Sequence, residues 1–261
     1  MLAALAWPAW GPLPRLVHEA GGVPVPVALS DAGAAGVDAL LAAAGPDTRA
    51  VALCTPNDPT GTAVADDDLR RLAGRLDEPV WLVVDTALAE FAPDEAGDDA
   101  DTSAGAASLL AARERVLVVR SFSKAHAMAG FRAGFAVAND AELLRRIAPV
   151  AGVSAPAQAA MLWAVRSGDA LVAWRRAAAA RERDRLAAGL EGTPLSFLAG
   201  HGHLVWLSSV EHDGRTIAAH LAARRIYVTP GAAWGDDRHV RVALRDGAAT
   251  DRLVGALREL S

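Results

Sequence analysis

Lysine, cysteine and tyrosine each occur only once in this sequence of 261 residues. The single cysteine, Cys54, excludes an intrachain disulfide framework and is typical of proteins in a reducing cytoplasm. We therefore expect a cytoplasmic protein whose stability owes nothing to disulfides.

Long apolar runs are also missing from the chain. Proline or charge interrupts each apolar stretch before it reaches the roughly 18 to 20 residues that a membrane-spanning helix needs. The N-terminus lacks the basic region and apolar run of a secretory signal. A formal net charge of −5 offers no basic surface to nucleic acid or anionic lipid. From these absences we expect neither a membrane nor a nucleic-acid partner.

The scarcity of lysine makes Lys124 informative. Of the 26 basic residues, all but this one are arginine. A guanidinium stays protonated and does not readily form a Schiff base, whereas an amine can lose its proton and can form one. Composition alone leaves two interpretations open: Lys124 has a chemical role, or it is a chance survivor on the surface.

Strand and helix patterns alternate through the first part of the chain. Short apolar segments predict buried strands of a parallel sheet, and a segment with two prolines predicts an edge strand, because proline cannot donate to a ladder. The strands are predicted over Ala50–Leu53, Val80–Val84, Val116–Val119 and Ala133–Ala138, with the edge strand over Val23–Leu29. Helices are predicted over Asp38–Ala44, Asp66–Leu76, Ala104–Arg113 and Ala141–Ile147. This order predicts an α/β sheet with right-handed crossovers.

Two acidic segments interrupt this pattern. The aspartates from Asp66 to Asp68 are interpreted as an N-cap and as favourable charge in a first helical turn, rather than as a metal site. The segment Pro93–Ser103 is acidic and poor in large apolar residues, so we expect a solvated loop.

The pattern changes after Pro156. A long helical stretch is predicted over Ala157–Leu190, with a break near Ser167-Gly168. Further strands are predicted over His203–Ser208, Ile226–Thr229 and His239–Leu244, and further helices over Arg215–Arg224 and Thr250–Leu260. We therefore expect two domains: a large α/β domain of residues 1–165 and a smaller α+β domain of residues 166–261.

Three predicted strands end in unusual polar segments. In open α/β sheets, functional residues gather at the carboxyl ends of the strands. The segments are Thr55–Gly61, Asp85, and Arg120–Lys124 followed by Gly130–Arg132. Separately, each has a structural explanation: a proline-rich turn, a capping aspartate and a serine-rich loop. Together they supply a lysine for an imine, a carboxylate for a pyridinium nitrogen, and hydroxyls with an arginine for a phosphate. This combination fits pyridoxal 5'-phosphate (PLP).

The same motifs give a family resemblance that covers the chain from about Ala6 to Leu257. The sequence resembles class I/II aminotransferases of fold type I, and in particular histidinol-phosphate-aminotransferase-like proteins. The matching motifs are Asn57–Gly61 for the family's Asn-Pro-Thr-Gly turn, Val83–Asp85 for the strand that ends in the cofactor aspartate, and Ser121–Lys124 through Arg132–Gly134 for the lysine and phosphate segment. The resemblance implies a mostly parallel sheet flanked by helices, with a smaller α+β domain at the C-terminus.

The resemblance implies a role for each cofactor residue. Lys124 would form the internal aldimine with PLP and then, released by substrate, move the proton between the substrate Cα and the cofactor. Asp85 would keep the ring nitrogen protonated. Ser121, Ser123 and Arg132 would hold the phosphate through charge-assisted hydrogen bonds.

The resemblance also implies a substrate contact. Arg241, in the segment Val240–Val242, stands where the family keeps the arginine that binds the α-carboxylate of the substrate. An edge residue in an ion pair is the alternative interpretation of this arginine.

The sequence departs from the family pattern around the 3' oxygen of the cofactor ring. The asparagine that precedes Pro-Thr-Gly and donates to this oxygen is Asp58 here, and an ionised carboxylate cannot donate a hydrogen bond. Asn57 is the alternative donor. The tyrosine expected three residues after the cofactor aspartate is Leu88. We therefore expect weak support for this oxygen.

The resemblance also places a sizeable N-terminal part of the family before the position of Met1. That part supplies a strand of the large domain, a turn at the phosphate and an aromatic ring stacked on the cofactor. Trp7 or Trp10 is a candidate for the stacked ring, with core or rim packing as the alternative. His201 and His203 lack a further ligand at zinc spacing, so we expect a solvated strand edge and no metal site.

Two functions of different classes remain open on the sequence. The first is a PLP-dependent aminotransferase acting on an amino acid or amino-acid phosphate, with decarboxylation on the same scaffold as a variant. The second is a non-catalytic or partner-dependent protein of the same fold. The resemblance further implies a homodimer, because that family assembles its active site at the subunit interface.

Overall fold

The first part of the chain forms a six-stranded sheet. In the computed structural model, which describes residues 1–92, 104–148 and 152–260, its strands are β1 (Leu2–Trp7), β2 (Val23–Ala28), β3 (Thr48–Cys54), β4 (Trp81–Asp85), β5 (Val116–Ser121) and β6 (Gly134–Ala138). Their order across the sheet is β2-β1-β3-β4-β5-β6. Neighbouring strands are parallel except β5 and β6, which are antiparallel.

Helices pack on this sheet through alternate residues of its strands. They are α1 (Leu13–Glu19), α2 (Val37–Ala43), α3 (Asp66–Arg75), α4 (Ala104–Ala112) and α5 (Ala141–Ile147). One face of the sheet forms a buried core with α2, α3 and α4, in which Val51, Leu82 and Val116 meet Leu40 and Leu72. Because side chains alternate along a strand, Cys54 and Asp85 project from the opposite face, as register partners at the ends of β3 and β4.

The second part of the chain forms a smaller antiparallel sheet. Its strands are β7 (Leu195–Phe197), β8 (Leu204–Ser209), β9 (Thr229–Pro230) and β10 (His239–Ala243), in the order β7-β8-β10-β9. The helices of this part of the chain are α6 (Ala155–Ser167), which packs on the segment between β5 and β6, and α7 (Asp169–Leu190), α8 (Gly214–Ala223) and α9 (Gly247–Arg258). Leu186, Ile217 and Leu257 from α7, α8 and α9 pack on Val205 and Val240 in a second buried core.

A turn after β3 touches the loop before β8 and so joins the two sheets. Gly61 in this turn has φ 75°, a conformation that favours glycine, and its carbonyl oxygen accepts from the backbone N–H of His201 at 2.6 Å. A Cβ atom on Gly200 would lie 2.5 Å from the same oxygen, so the approach requires glycine there. Arg183 of α7 is buried and donates to the carbonyl of Leu204 at 2.7 Å. The turn after β3 and helix α7 therefore both form hydrogen bonds with the chain where it enters β8.

The predicted fold class is confirmed, and most predicted elements are present within one or two residues. The long helical stretch breaks at Gly168, and the strand with two prolines is the edge strand β2. The sequence does not predict β1, α1 or β7. Of these, β7 is only three residues long, and α1 has Pro14 in its first turn.

Three local predictions are wrong. The segment Ala133–Ala138 is predicted in a parallel arrangement, but β6 returns antiparallel because residues 122–133, all described, contain no α-helix to carry a parallel crossover. The N-cap of α3 is Ala65, so the aspartates Asp66 to Asp68 lie in the first turn of the helix and do not cap it. The strand predicted at Ile226–Thr229 forms only at Thr229–Pro230. The segment Pro93–Ser103, predicted as a loop, lies outside the described residues.

Helix composition bears on membrane insertion as well. None of the helices in the described ranges combines the length and the apolar character that crossing a membrane requires.

A buried arginine closes the C-terminal end of α3. Arg113 is 7% exposed and donates to the carbonyl oxygens of Leu76 at 2.6 Å, Val80 at 2.7 Å and Asp77 at 2.5 Å. The last carbonyls of a helix have no partner within the helix. Arg113 therefore supplies donors to carbonyls at this helix end and in the loop that follows.

Substitution of this residue is expected to destabilise the fold. Arg113→Met leaves several buried carbonyl oxygens without donors, so we expect the free energy of unfolding to fall by about 2–4 kcal/mol. Arg146→Met, at an exposed position on α5, is the matched control and should change it by less than about 0.5 kcal/mol. Urea denaturation followed by circular dichroism measures both, and equal effects would contradict the capping role.

Candidate active site

The three polar segments meet at the carboxyl edge of the six-stranded sheet. Cys54 and Asp85 are the last residues of β3 and β4, and Ser121 is the last residue of β5. Lys124 follows three residues after Ser121. Because these three strands are adjacent and parallel, their ends lie side by side.

Asp85 is a half-buried carboxylate at the end of β4. One of its oxygens accepts from the backbone N–H of Ala87 at 2.9 Å. Burial raises the pKa of this carboxyl, and the charge of Asp58 adds to the rise, whereas the Ala87 N–H and the charge of Lys124 lower it. The carboxylate therefore lies where a positively charged donor would stabilise it.

The thiol of Cys54 lies beside this carboxylate. Cys54 is 5% exposed and hydrogen-bonds to Asp85. Burial, followed by the charge of Asp85, raises the pKa of the thiol well above its usual range, so it stays protonated. From the sequence, Cys54 indicates only a reducing compartment, and this contact is not predicted. Its position at a strand end, in register with Asp85, is the signal that could have revealed it.

Asp58 brings the predicted lysine and the predicted arginine together. One of its carboxylate oxygens accepts from Arg241 Nη1 at 2.7 Å, and the other lies 3.9 Å from Lys124 Nζ. The Asp58 side chain is 10% exposed, so this contact is shielded from solvent. Asp58 and Arg241 are 183 residues apart in the sequence, and Asp58 lies in the turn after β3 whereas Arg241 lies in β10 of the second sheet. The candidate site therefore lies between the two sheets.

Arg241 is held in a fixed orientation. It lies in β10, between β8 and β9, which rules out an edge position although the residue does form an ion pair. Its guanidinium carbon lies 5.2 Å from the ring centroid of Trp234. Trp234 Nε1 donates to the carbonyl of Ala9 at 2.7 Å, and Trp7 Nε1 donates to the carbonyl of Trp234 at 2.8 Å. The segment after β1 thus supports the arginine through two tryptophans.

The two tryptophans near the N-terminus differ in their surroundings. Trp7 packs at the interface with Trp234, which agrees with the packing interpretation of this residue. Trp10 is 41% exposed. Stacking on a cofactor ring stays a prediction for either residue.

Asn57 is committed to contacts within the fold. It is 2% exposed, and its side-chain amide donates to the carbonyl of Pro8 at 3.0 Å and to the hydroxyl of Thr60 at 3.0 Å. Donation to a ring oxygen would require one of these bonds to break. Contact of Asn57 or Asp58 with the 3' oxygen remains a prediction.

The predicted phosphate residues lie at the end of β5 and in the segment that connects it to β6. The hydroxyl oxygen of Ser121 accepts from the backbone N–H of Ser123 at 3.1 Å, which leaves its hydrogen free to be donated to a ligand. Arg132 has φ 52° and is exposed, and its guanidinium donates to the carbonyl of Ala129 at 2.9 Å. Phosphate binding by these three side chains also stays a prediction.

His203 is a half-buried imidazole rather than part of a solvated strand edge, so the expectation from the sequence is wrong for this residue. It directly precedes the central strand β8, and its ring centroid lies 5.2 Å from that of Phe91. Its Nδ1 atom is buried without a hydrogen-bond partner. Burial, followed by the positive charges around it, lowers the pKa of His203 to about 4. The charged groups that act on it are Lys124, Arg175 and Arg241, which lower the pKa, and Asp58, which raises it.

Metal ligands are a separate question. Within the described ranges, no group of three or more histidine, cysteine or acidic side chains is arranged to hold a metal ion.

The family follows from a direct comparison of sequences. The family model described as aminotransferase class I and II matches residues 3–257. The chain therefore belongs to the class I/II aminotransferases, which use PLP, and the resemblance inferred from the motifs is confirmed.

Curated relatives give a narrower comparison. An aromatic amino acid aminotransferase from Mycolicibacterium vanbaalenii is 33% identical over 255 residues, which cover 97% of this chain and 69% of the relative. An aromatic amino acid aminotransferase from Streptomyces avermitilis is 33% identical over 250 residues, which cover 94% of this chain and 66% of the relative. The chain thus spans about two thirds of the length of these relatives.

Solved structures show the same fold. A mutant of the Thermus thermophilus aspartate aminotransferase superposes with a TM-score of 0.85 at 24% identity, covering 100% of this chain and 73% of that one. The histidinol-phosphate aminotransferase from Clostridium acetobutylicum superposes with a TM-score of 0.86 at 17% identity, covering 99% of this chain and 77% of that one. At these identities the likeness concerns the fold alone.

The half-buried His203 predicts a particular dependence of stability on pH. Its pKa of about 4 in the folded chain lies below the ordinary value of 6.5, so the unfolded chain binds more protons between these two values. The stabilising contribution of neutral His203 is therefore complete above about pH 6.5 and is lost as the pH falls towards 4. His203→Asn should reduce the fall in unfolding free energy across this range by about 2 kcal/mol.

Urea denaturation at several pH values between 7 and 4 measures this slope. His18→Asn, at an exposed position on α1, is the matched control and should leave the slope unchanged. If His203→Asn shows the same slope as the unsubstituted chain, the burial effect is absent.

Proposed function

We propose that this chain is a PLP-dependent aminotransferase that acts on an amino acid and in which Lys124 holds the cofactor. The observation that carries the proposal is the placement of Lys124 and Asp85 at the ends of the adjacent strands β5 and β4. The charge of Lys124 lowers the pKa of Asp85, and Lys124 Nζ lies 3.9 Å from the carboxylate of Asp58. Family membership supports the same cofactor.

The chemistry of the side chains fits this cofactor. The amine of Lys124 is the group that bonds to its aldehyde, and Asp85 offers a buried carboxylate to its ring nitrogen. Ser121, Ser123 and Arg132 would supply hydroxyls and a guanidinium to its phosphate. When bound, the cofactor supplies an electron sink that stabilises negative charge at the substrate Cα.

The residues of this chain then perform the remaining tasks. The Lys124 amine, when it is not bonded to the cofactor, would take the proton from the substrate Cα and would deliver it to the cofactor rather than back to the same carbon. Arg241 orients the substrate by binding its carboxylate, and its position on Trp234 keeps the guanidinium from rotating freely. The neutral His203 beside Lys124 adds no further charge at neutral pH.

The substrate class and assembly belong to the same proposal. The relatives at 33% identity are named aromatic amino acid aminotransferases, which supports an aromatic amino acid more than an amino-acid phosphate as the amino donor. We further propose a homodimer, and a division into a cofactor domain of residues 1–165 and a smaller domain of residues 166–261.

A second candidate is a protein of this fold that binds the cofactor without turnover. The ion pair between Asp58 and Arg241 favours it, because the guanidinium proposed for the substrate already has a carboxylate partner. Cofactor attachment with no amino-group transfer, across a panel of amino donors and a 2-oxoacid acceptor, would select this second candidate.

Substitution of the lysine tests the proposal. The chain incubated with PLP should show a visible absorbance band, and borohydride reduction should fix the cofactor mass to the peptide that contains Lys124. Lys124→Ala and Lys124→Arg should both lose the band, because neither side chain can form the covalent bond. Lys124→Arg is the matched variant, since it keeps the positive charge beside Asp58. Attachment at another residue, or none at saturating PLP, would overturn the proposal.

Substitution of the aspartate separates attachment from catalysis. Asp85→Asn should still allow attachment to Lys124, but amino-group transfer should be slower by about 100-fold, because an amide cannot keep the ring nitrogen protonated. Asp47→Asn, at an exposed position, is the matched control. Single-turnover absorbance changes with an aromatic amino acid measure the rate, and an unchanged rate in Asp85→Asn would contradict the assigned role.

A further inference from the structure

The ion pair at Arg241 leaves the guanidinium only partly available to a ligand. Its Nη1 atom donates to Asp58 at 2.7 Å. Its Nη2 atom has a contact of 3.5 Å with the hydroxyl of Thr229, at the limit of a hydrogen bond. An incoming carboxylate can therefore reach one nitrogen of the fork while Asp58 holds the other.

This arrangement has a cost for any anionic ligand. A guanidinium binds a carboxylate best through two parallel hydrogen bonds, and the second bond is unavailable while Asp58 is in place. A ligand carboxylate on Nη2 would also lie a few ångströms from the Asp58 carboxylate, where like charges repel. The Asp58 side chain is 10% exposed, so water screens this repulsion poorly.

We propose that Asp58 is a specificity-determining residue that competes with the carboxylate of the substrate for Arg241. The inference rests on the proposed function, because it concerns the same arginine. An amino acid binds fully only after it displaces Asp58 from Nη1. The site therefore binds a substrate carboxylate less tightly than a site with an uncharged residue at this position would.

Lys124 strengthens the competition. The second oxygen of Asp58 lies 3.9 Å from Lys124 Nζ, so the carboxylate interacts with two positive groups at once. If Asp58 moves towards Lys124, its carboxylate keeps the contact with Lys124 and loses the contact with Arg241. The Lys124 amine and the Arg241 guanidinium therefore share the carboxylate of Asp58. A ligand carboxylate would compete with it for the same two groups.

Direct binding of a carboxylate tests this inference without turnover. The probe is hydrocinnamate, a carboxylate with a phenyl ring and no amine, titrated by calorimetry into the full chain with and without PLP. Asp58→Asn removes the internal anion and should bind the probe at least about tenfold more tightly than the unsubstituted chain, a difference of about 1.4 kcal/mol. Asp58→Ser should show a gain in the same direction.

Two controls make the result specific. Asp237→Asn removes a carboxylate that pairs with Arg215 at 3.2 Å on the exposed surface, and should leave the affinity unchanged. When Arg241→Gln is also present, Asp58→Asn should give less than a third of the gain in probe affinity that it gives in the otherwise unsubstituted chain. The reason is that the competition takes place at the arginine. Circular dichroism confirms that each variant is folded.

The outcomes separate the inference from the proposed function. No gain in folded Asp58→Asn and Asp58→Ser, including no measurable binding in either, overturns the role of Asp58. An equal gain in the Arg241→Gln background also overturns it. Failure of PLP to attach to Lys124 overturns the proposed function instead, and the titrations without PLP still decide the role of Asp58.

Discussion

The ion pair between Asp58 and Arg241 connects the two sheets at the place where the functional residues meet. Asp58 lies in the turn after β3, and Arg241 lies in β10, so their contact at 2.7 Å fixes the position of one sheet relative to the other. The backbone bond from His201 to Gly61 at 2.6 Å acts on the same turn. Lys124, the other predicted chemical group, approaches the same carboxylate from β5. The site therefore depends on this one carboxylate for its geometry.

Burial controls the charges around that carboxylate. The thiol of Cys54 stays protonated, and His203 stays neutral at neutral pH because burial lowers its pKa to about 4. Burial also raises the pKa of Asp85, so a cationic ligand beside this carboxyl would stabilise its ionised form. Burial thus keeps the Cys54 thiol and the His203 ring uncharged near the ion pair of Asp58 with Arg241.

Local patterns were sufficient for much of the fold, and single residues show where they fail. Apolar runs and strand-end polar segments predict the sheet, its helices and the residues at its carboxyl edge, because these depend on short stretches of chain. The pairing of Asp58 with Arg241 spans 183 residues and depends on how two sheets pack, which periodicity does not encode. The burial of His203 likewise comes from Phe91 and other distant residues. The antiparallel β6 depends on its connection to β5 rather than on its own composition.

The dependence of the structure on the Asp58–Arg241 contact is tested most directly by a double-mutant cycle on stability. Asp58→Asn, Arg241→Gln and the double variant are unfolded in urea together with the unsubstituted chain. If the ion pair joins the two sheets, the two substitutions are coupled by about 1–3 kcal/mol, because each single variant leaves a shielded group without its partner. Effects that add within about 0.3–0.5 kcal/mol would show that the two residues do not interact, and the account of the site would then be wrong.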